Sequence, residues 1–272
     1  MRVVIFCDME GISGIQTWPQ VTSGTHIYEE CRKLYTEEMN AAVRGARAAG
    51  AREVYVVDCH GAGGEHNFKS FVPDLLESGA QYVLGHPWAR FTDAYEMGCD
   101  AVLFVGAHAM AGVPDGILCH TVSTESWHNA SINGTFVGES GILAAIAGCW
   151  DVPVVFAAGD AATCREVQAL LGNEIVTAQV KKGLGRFSAI NMAPKDACSL
   201  IEMRVAQALS QKKNWPKPLK FEGPVTFKVE LATPDGVSDF INRPNVTIEG
   251  PRTVTSTADN FWHAWDQFWY RH

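Results

Sequence analysis

Asp8 and Glu10 stand two residues apart in "DMEG", directly after an apolar run that begins at Val3. Carboxylates at positions i and i+2 of an extended chain project to the same side, so this pair can reach one cation or two adjacent ones. Asp58 and His60 repeat the spacing in "DCH", His108 closes "AVLFVGAH", and Asp160 closes "VPVVFAAGD". Glu139 follows the Asn133-Gly134 pair, and His120 lies in "CHTVSTES" beside small and hydroxyl side chains. Taken singly, a strand-end Asp is more often a turn former or helix cap, and a lone His more often a hydrogen-bonded core residue. Coincidence at several strand ends changes the weighing. Mixed imidazole and carboxylate donors suit Zn²⁺, with Mn²⁺ or Co²⁺ as substitutes. Asp8, Glu10, His60, His108 and Glu139 are enough donors for two ions about 3.5–4 Å apart, provided that one carboxylate bridges them.

The elements that must position these side chains are legible in the hydrophobic pattern. "RVVIFCD", "EVYVVDCH", "AVLFVGAH" and "VPVVFAAGD" are near-continuous apolar runs, as expected for strands buried on both faces of a parallel sheet. Residues 25–49 carry apolar and Ala residues at helical spacing and end before Gly50, which completes a βαβ unit. Asn133-Gly134 between short alternating runs signals a type I′ hairpin. "SGILAAIAGC" is apolar all round and reads as a buried helix, with Glu139 at its start. In open α/β sheets ligands bind beyond the carboxyl ends of the strands, where the potential donors sit.

The fold class expected is α/β, a largely parallel central sheet flanked by helices, with a smaller α+β C-terminal portion. The Pro-rich stretch around residues 215–224 divides a metal-binding catalytic domain, 1–215, from a small part, 216–272, packed on the first or at a subunit interface. That part holds three strand-like runs and the aromatic helix "ADNFWHAWDQFWY". Its stripe of Phe261, Trp262, Trp265, Phe268 and Trp269 fits a core or an interface better than a ligand box.

Composition narrows the partners. With 272 residues and a formal charge of −8, the chain lacks the basic surface that phosphate-rich partners need, which argues against nucleic acid and anionic membrane. Lys212, Lys213, Lys217 and Lys220 flank two prolines and read as a solvated linker. The N-terminal apolar run is too short for a signal peptide or a membrane span, and the eight scattered cysteines form no CxxC pair, so a cytoplasmic protein with reduced thiols is expected. Cys7, Cys59 and Cys119 each adjoin a candidate site residue and would serve a thiol hydrolase, although a small side chain packed behind a strand end explains them more simply. A two-metal phosphoesterase or another amidohydrolase would use the same donors. The absence of a phosphate-cradling Gly-rich Lys motif counts mildly against the former. A peptide-binding transport protein is the non-catalytic alternative.

In order along the chain, "DMEGISG", "DCHG", "GAHAMAG", "CHTVS" and "NGTFVGESG" resemble the binuclear-zinc D-aminopeptidase family of metallopeptidases, with "VPVVFAAGD" and "VKKGLGR" also similar. The likeness covers most of the first 190 residues and is looser over the last fifty. It implies two zinc ions per subunit on Asp8, Glu10, His60, His108 and Glu139, with Asp8 bridging, and a catalytic role for His120. It further implies hydrolysis of short peptides or amides with a free amino-terminal D-residue, typically D-alanine, and a ring-like homo-oligomer. Whether His120 is base, nucleophile or oxyanion donor stays open. A proton-transfer or oxyanion role is favoured, because a zinc-bound hydroxide already supplies a nucleophile.

Overall fold

The computed structural model describes residues 1–269; Tyr270, at the end of the expected aromatic helix, and His272 lie outside the described residues. The strands are β1 (Arg2–Cys7), β2 (Glu53–Asp58), β3 (Gln81–Val83), β4 (Ala101–Ala107), β5 (Trp127–Ile132), β6 (Thr135–Phe136), β7 (Val154–Asp160), β8 (Val176–Gly185), β9 (Ser188–Asn191), β10 (Val225–Leu231), β11 (Val246–Ile248) and β12 (Thr253–Ala258). The α-helices are α1 (Trp18–Val21), α2 (His26–Ala48), α3 (Asp93–Glu96), α4 (Glu139–Gly148), α5 (Ala161–Leu171), α6 (Pro194–Ser210) and α7 (Phe261–Trp269).

The four apolar runs become β1, β2, β4 and β7, neighbours in a seven-stranded sheet of order β3-β2-β1-β4-β7-β8-β9. Every pairing in it is parallel except β8 with β9. β4 and β7 are buried along their whole length, because helices cover both faces. Thr25 caps α2 by accepting from the Tyr28 amide at 3.3 Å, and Gly50 leaves the helix at φ +85°. The chain runs from β1 outward through β2 to β3, then returns to place β4 on the other flank of β1. The strand order therefore reverses between β1 and β4, which makes a crevice at their carboxyl ends.

A second sheet, of order β11-β12-β10-β5-β6, is antiparallel throughout. Asn133 at φ 47° and Gly134 at φ 83° form the tight hairpin between β5 and β6. This sheet crosses the sequence division at 215/216, since β10 pairs on one side with β12 and on the other with β5. The α7 stripe packs on it: Phe261, Trp265 and Phe268 are buried, and Phe227 of β10 meets all three rings at centroid distances of 5.2–5.6 Å. One large apolar cluster joins these residues to α4 and to one face of the parallel sheet, and a second fills the opposite face beneath α2 and α6.

Candidate metal centre

β1, β2 and β4 end side by side, and the side chains just beyond them meet. The ends are held very close. The Asp8 amide donates to the Val105 carbonyl at 2.9 Å and the Gly11 amide to the Gly106 carbonyl at 2.7 Å. A Cβ on Gly11 would lie 2.1 Å from the Ala107 carbonyl oxygen, so only glycine lets the loop after β1 pass over β4.

Asp8 occupies the centre of the cluster. Its Oδ1 is 3.1 Å from His60 Nδ1 and its Oδ2 is 3.4 Å from His108 Nε2. Each histidine has a second carboxylate: His60 Nδ1 lies 3.3 Å from Glu10 Oε2, and His108 Nε2 lies 3.2 Å from Glu139 Oε1. His120 Nε2 is 3.6 Å from the same Glu139 oxygen, and its ring stacks on that of His108 at 4.1 Å and 11°. All five donors expected from the sequence, and His120 with them, thus come together.

Backbone carbonyls fix the rings. His60 Nε2 meets the Val21 carbonyl at 2.6 Å, His108 Nδ1 the Ala109 carbonyl at 3.0 Å, and His120 Nδ1 the Leu118 carbonyl at 2.9 Å. A carbonyl only accepts, so each of those nitrogens carries the proton and donates. The other nitrogen of each ring, the one facing the carboxylates, is thereby free as a metal ligand or proton acceptor.

The donor set fits a divalent metal on three grounds. His108 Nε2 and Glu10 Oε2 are buried without a hydrogen-bond partner, a costly state unless a cation satisfies them. His108, His120 and Glu139 form one group of potential ligand atoms within 4.8 Å of one another, and Asp8, Glu10 and His108 form a second. Tetrahedral zinc with bonds of about 2.0–2.1 Å spaces its ligands roughly 3.4 Å apart, the spacing found here between imidazole and carboxylate. Charge follows the same logic. Burial alone would raise the Asp8 and Glu139 carboxyls, but the facing imidazoles win and hold both below the ordinary carboxylate range. Burial would likewise depress His60 and His108, yet the carboxylates push both well above the usual histidine value. Protons on these rings offset the carboxylate charge as a bound cation would.

Two acids at strand ends have other work. Asp58 Oδ1 accepts from Tyr35 Oη at 2.9 Å and from the His60 amide at 3.0 Å, while Oδ2 accepts from the Ser70 amide, so it anchors the loop that carries His60. Asp160 caps α5 through the Thr163 amide at 2.8 Å and accepts from the Ile117 amide at 2.7 Å. His66 accompanies Ser23, 3.0 Å away, and does not line the cavity before the cluster. Burial pushes the Cys7 and Cys59 thiols well above their ordinary value, the opposite of what a thiolate nucleophile needs.

Lys181 and Arg186, on β8 and just after it, lie in "VKKGLGR", but the sequence carries no sign of the role of either. Lys181 is 2% exposed, and its ammonium donates to the carbonyls of Glu10, Ile12 and Ile15, which pins the loop after β1. Burial pushes its pKa down to about 8 against the pull of Asp160, Glu38 and Glu10. Glu38 on α2 holds the same loop by accepting from the Ser13 amide at 2.8 Å. Arg186 donates to the Cys119 carbonyl at 3.0 Å and to Thr124 Oγ1 at 2.8 Å, and its guanidinium lies 5.4 Å from the centre of the Trp18 ring, which in turn meets His120 edge-on at 5.6 Å. The one available signal was a pair of lysines in "VKKGLG", a run whose valine and glycines look buried.

Comparisons with known proteins show the family. A family model described as D-aminopeptidase matches residues 1–270. The chain belongs to the D-aminopeptidase family. A D-aminopeptidase of Bacillus subtilis (strain 168) is 32% identical over 269 residues, spanning 97% of this chain and 94% of that protein. A solved structure, described as the Zn-dependent D-aminopeptidase DppA from Bacillus subtilis, a self-compartmentalizing protease, superposes with a TM-score of 0.87 at 30% identity. The match covers 98% of this chain and 95% of that one. Membership places the chain among the metallo-aminopeptidases, and α/β architecture with a mostly parallel first sheet is common to both structures. Among the described residues, no helix is long and apolar enough to cross a membrane.

Proposed function

We propose that this protein is a binuclear zinc aminopeptidase that removes an amino-terminal D-residue, D-alanine among them, from short peptides or amides. The observation that carries the reading is Asp8, whose two oxygens face two different histidines, each backed by a further carboxylate. One ion would rest on Asp8, Glu10 and His60. Its neighbour would rest on Asp8, His108 and Glu139. Zinc bound there supplies Lewis acidity to the scissile carbonyl and to the attacking water.

The chain's own residues supply the rest. The carboxylates draw the substrate's ammonium group to the cluster and set the register of an aminopeptidase. His120 is placed to move the proton. Its Nε2 faces Glu139 and the cavity while its Nδ1 stays tied to Leu118, so it can take a proton from water as the C–O bond forms and deliver it to the departing amine as the C–N bond breaks. The self-compartmentalizing description of DppA supports a homo-oligomer. A cytoplasmic location and a catalytic part within 1–215 complete the proposal.

The deciding experiment is hydrolysis of D-Ala and L-Ala p-nitroanilides by protein stripped with chelator and reconstituted with Zn²⁺. Metal-dependent cleavage of the D-substrate is expected; inactivity on it would sink the assignment. Cleavage of phosphate esters in its place would favour the phosphoesterase alternative.

A further inference from the structure

The cavity in front of the cluster holds about 980 Å³, at the upper end of ordinary ligand clefts and far more than two alanine residues fill. Its lining is of two kinds. Beside the carboxylates and histidines stands an apolar wall that includes Phe68, Trp88, Val122, Trp265 and Trp269. Trp88 and Trp265 lie 6.1 Å apart and Trp265 and Trp269 5.4 Å apart, while Phe68 and Val122 pack against the same cluster.

Two of these residues are held in a conformation that their side chains disfavour. Phe68 has φ 57° and Val122 φ 62°, where glycine or asparagine is expected and a β-branched residue is a genuine outlier. Both are locked by the metal centre: the Phe68 amide donates to the His60 carbonyl at 3.0 Å, and the Val122 amide to Glu139 Oε1 at 2.8 Å. A glycine would make either bond without strain, so the cost attaches to presenting a bulky apolar side chain to the cavity. Strain of this sort gathers at ligand clamps.

Resting on the aminopeptidase reading above, we propose that this wall is a specificity subsite for a bulky apolar or aromatic side chain on a residue adjoining the scissile bond. Such a side chain buries its faces against the tryptophans, whereas a methyl group leaves the wall wet. The substrates are then D-amino-terminal peptides with an apolar residue beside the cleaved bond, rather than D-alanine oligomers alone.

The test compares kcat/KM of the zinc-loaded protein for D-Ala-Gly, D-Ala-D-Phe and D-Phe-Gly, which probe both sides of the bond. One of the two aromatic peptides is expected to exceed D-Ala-Gly by about 10-fold or more. Trp269→Ala and Val122→Ala should each remove most of that preference, and Trp269→Phe should keep it. Cleavage of D-Ala-Gly with no aromatic preference on either side, or a preference untouched by both alanine variants, would overturn the subsite while leaving the aminopeptidase reading intact. Failure to cleave any of the three peptides would remove both.

Discussion

At the scale of single residues, the cluster turns on which atom faces which. Because Asp8 offers one oxygen to each histidine, Asp8→Ala should abolish binding of both zinc ions, whereas Glu10→Ala should cost mainly one. Metal content after dialysis measures this, and equal loss in both variants would refute the bridge. His120→Ala should keep metal and fold but lose about 100-fold or more in kcat, the usual worth of a positioned proton-transfer group. Near-normal turnover would end its catalytic role. The pH dependence has a definite sign. His60 and His108 are raised above their ordinary value, so the stabilisation they give the metal-free protein is complete below about 6.5 and is lost as pH rises through their folded-state values. Metal must displace those protons. The rise in Tm on adding Zn²⁺ should therefore grow from pH 6 to pH 8, and calorimetry in buffers of different ionisation enthalpy should show proton release.

At the scale of elements, the candidate ligands are held together by loops that are pinned from behind. Lys181→Met leaves three buried carbonyls without their shared donor, at a cost of about 1–3 kcal/mol for each one that finds no other partner. It should lower Tm and weaken the Glu10-side metal more than the other, which zinc titration of the variant resolves. Gly11→Ala forces a methyl against the Ala107 carbonyl and should destabilise by more than the roughly 1–3 kcal/mol of ordinary overpacking, read from denaturant unfolding. These elements also show what the sequence could and could not disclose. β1, β2, β4 and β7 announce themselves because strands buried on both faces must be apolar throughout, and the donors stand at their ends. Asp58 and Asp160 also stand at strand ends, although neither belongs to the five-donor set expected for two ions. Only three-dimensional contacts reveal that backbone amides claim them. The clamp from Lys181 was hidden because it spans 171 residues of sequence to reach Glu10, and no local pattern encodes that partner.

At the scale of the whole molecule, two sheets cooperate in one site. The parallel sheet and α4 present the candidate ligands, and α7, resting on the antiparallel sheet, supplies Trp265 and Trp269 to the cavity. Resemblance in the first 190 residues points to the former, whereas the aromatic stripe of α7 is legible only as a core or interface face, with no hint that it would line the cavity. The second sheet has a further consequence in time. β5 and β6 sit between two segments of the parallel sheet, yet β5 finds its long partner only in β10, and Thr226 reaches back 93 residues to the Asn133 side chain. During synthesis from the ribosome, every candidate ligand up to Glu139 emerges while that hairpin is still an unpaired edge, open to mispairing until the last strands arrive. Nascent chains should thus bring together the residues that would hold metal before α7 adds its tryptophans to the cavity, so the proposed side-chain preference would arise only when the polypeptide is nearly complete.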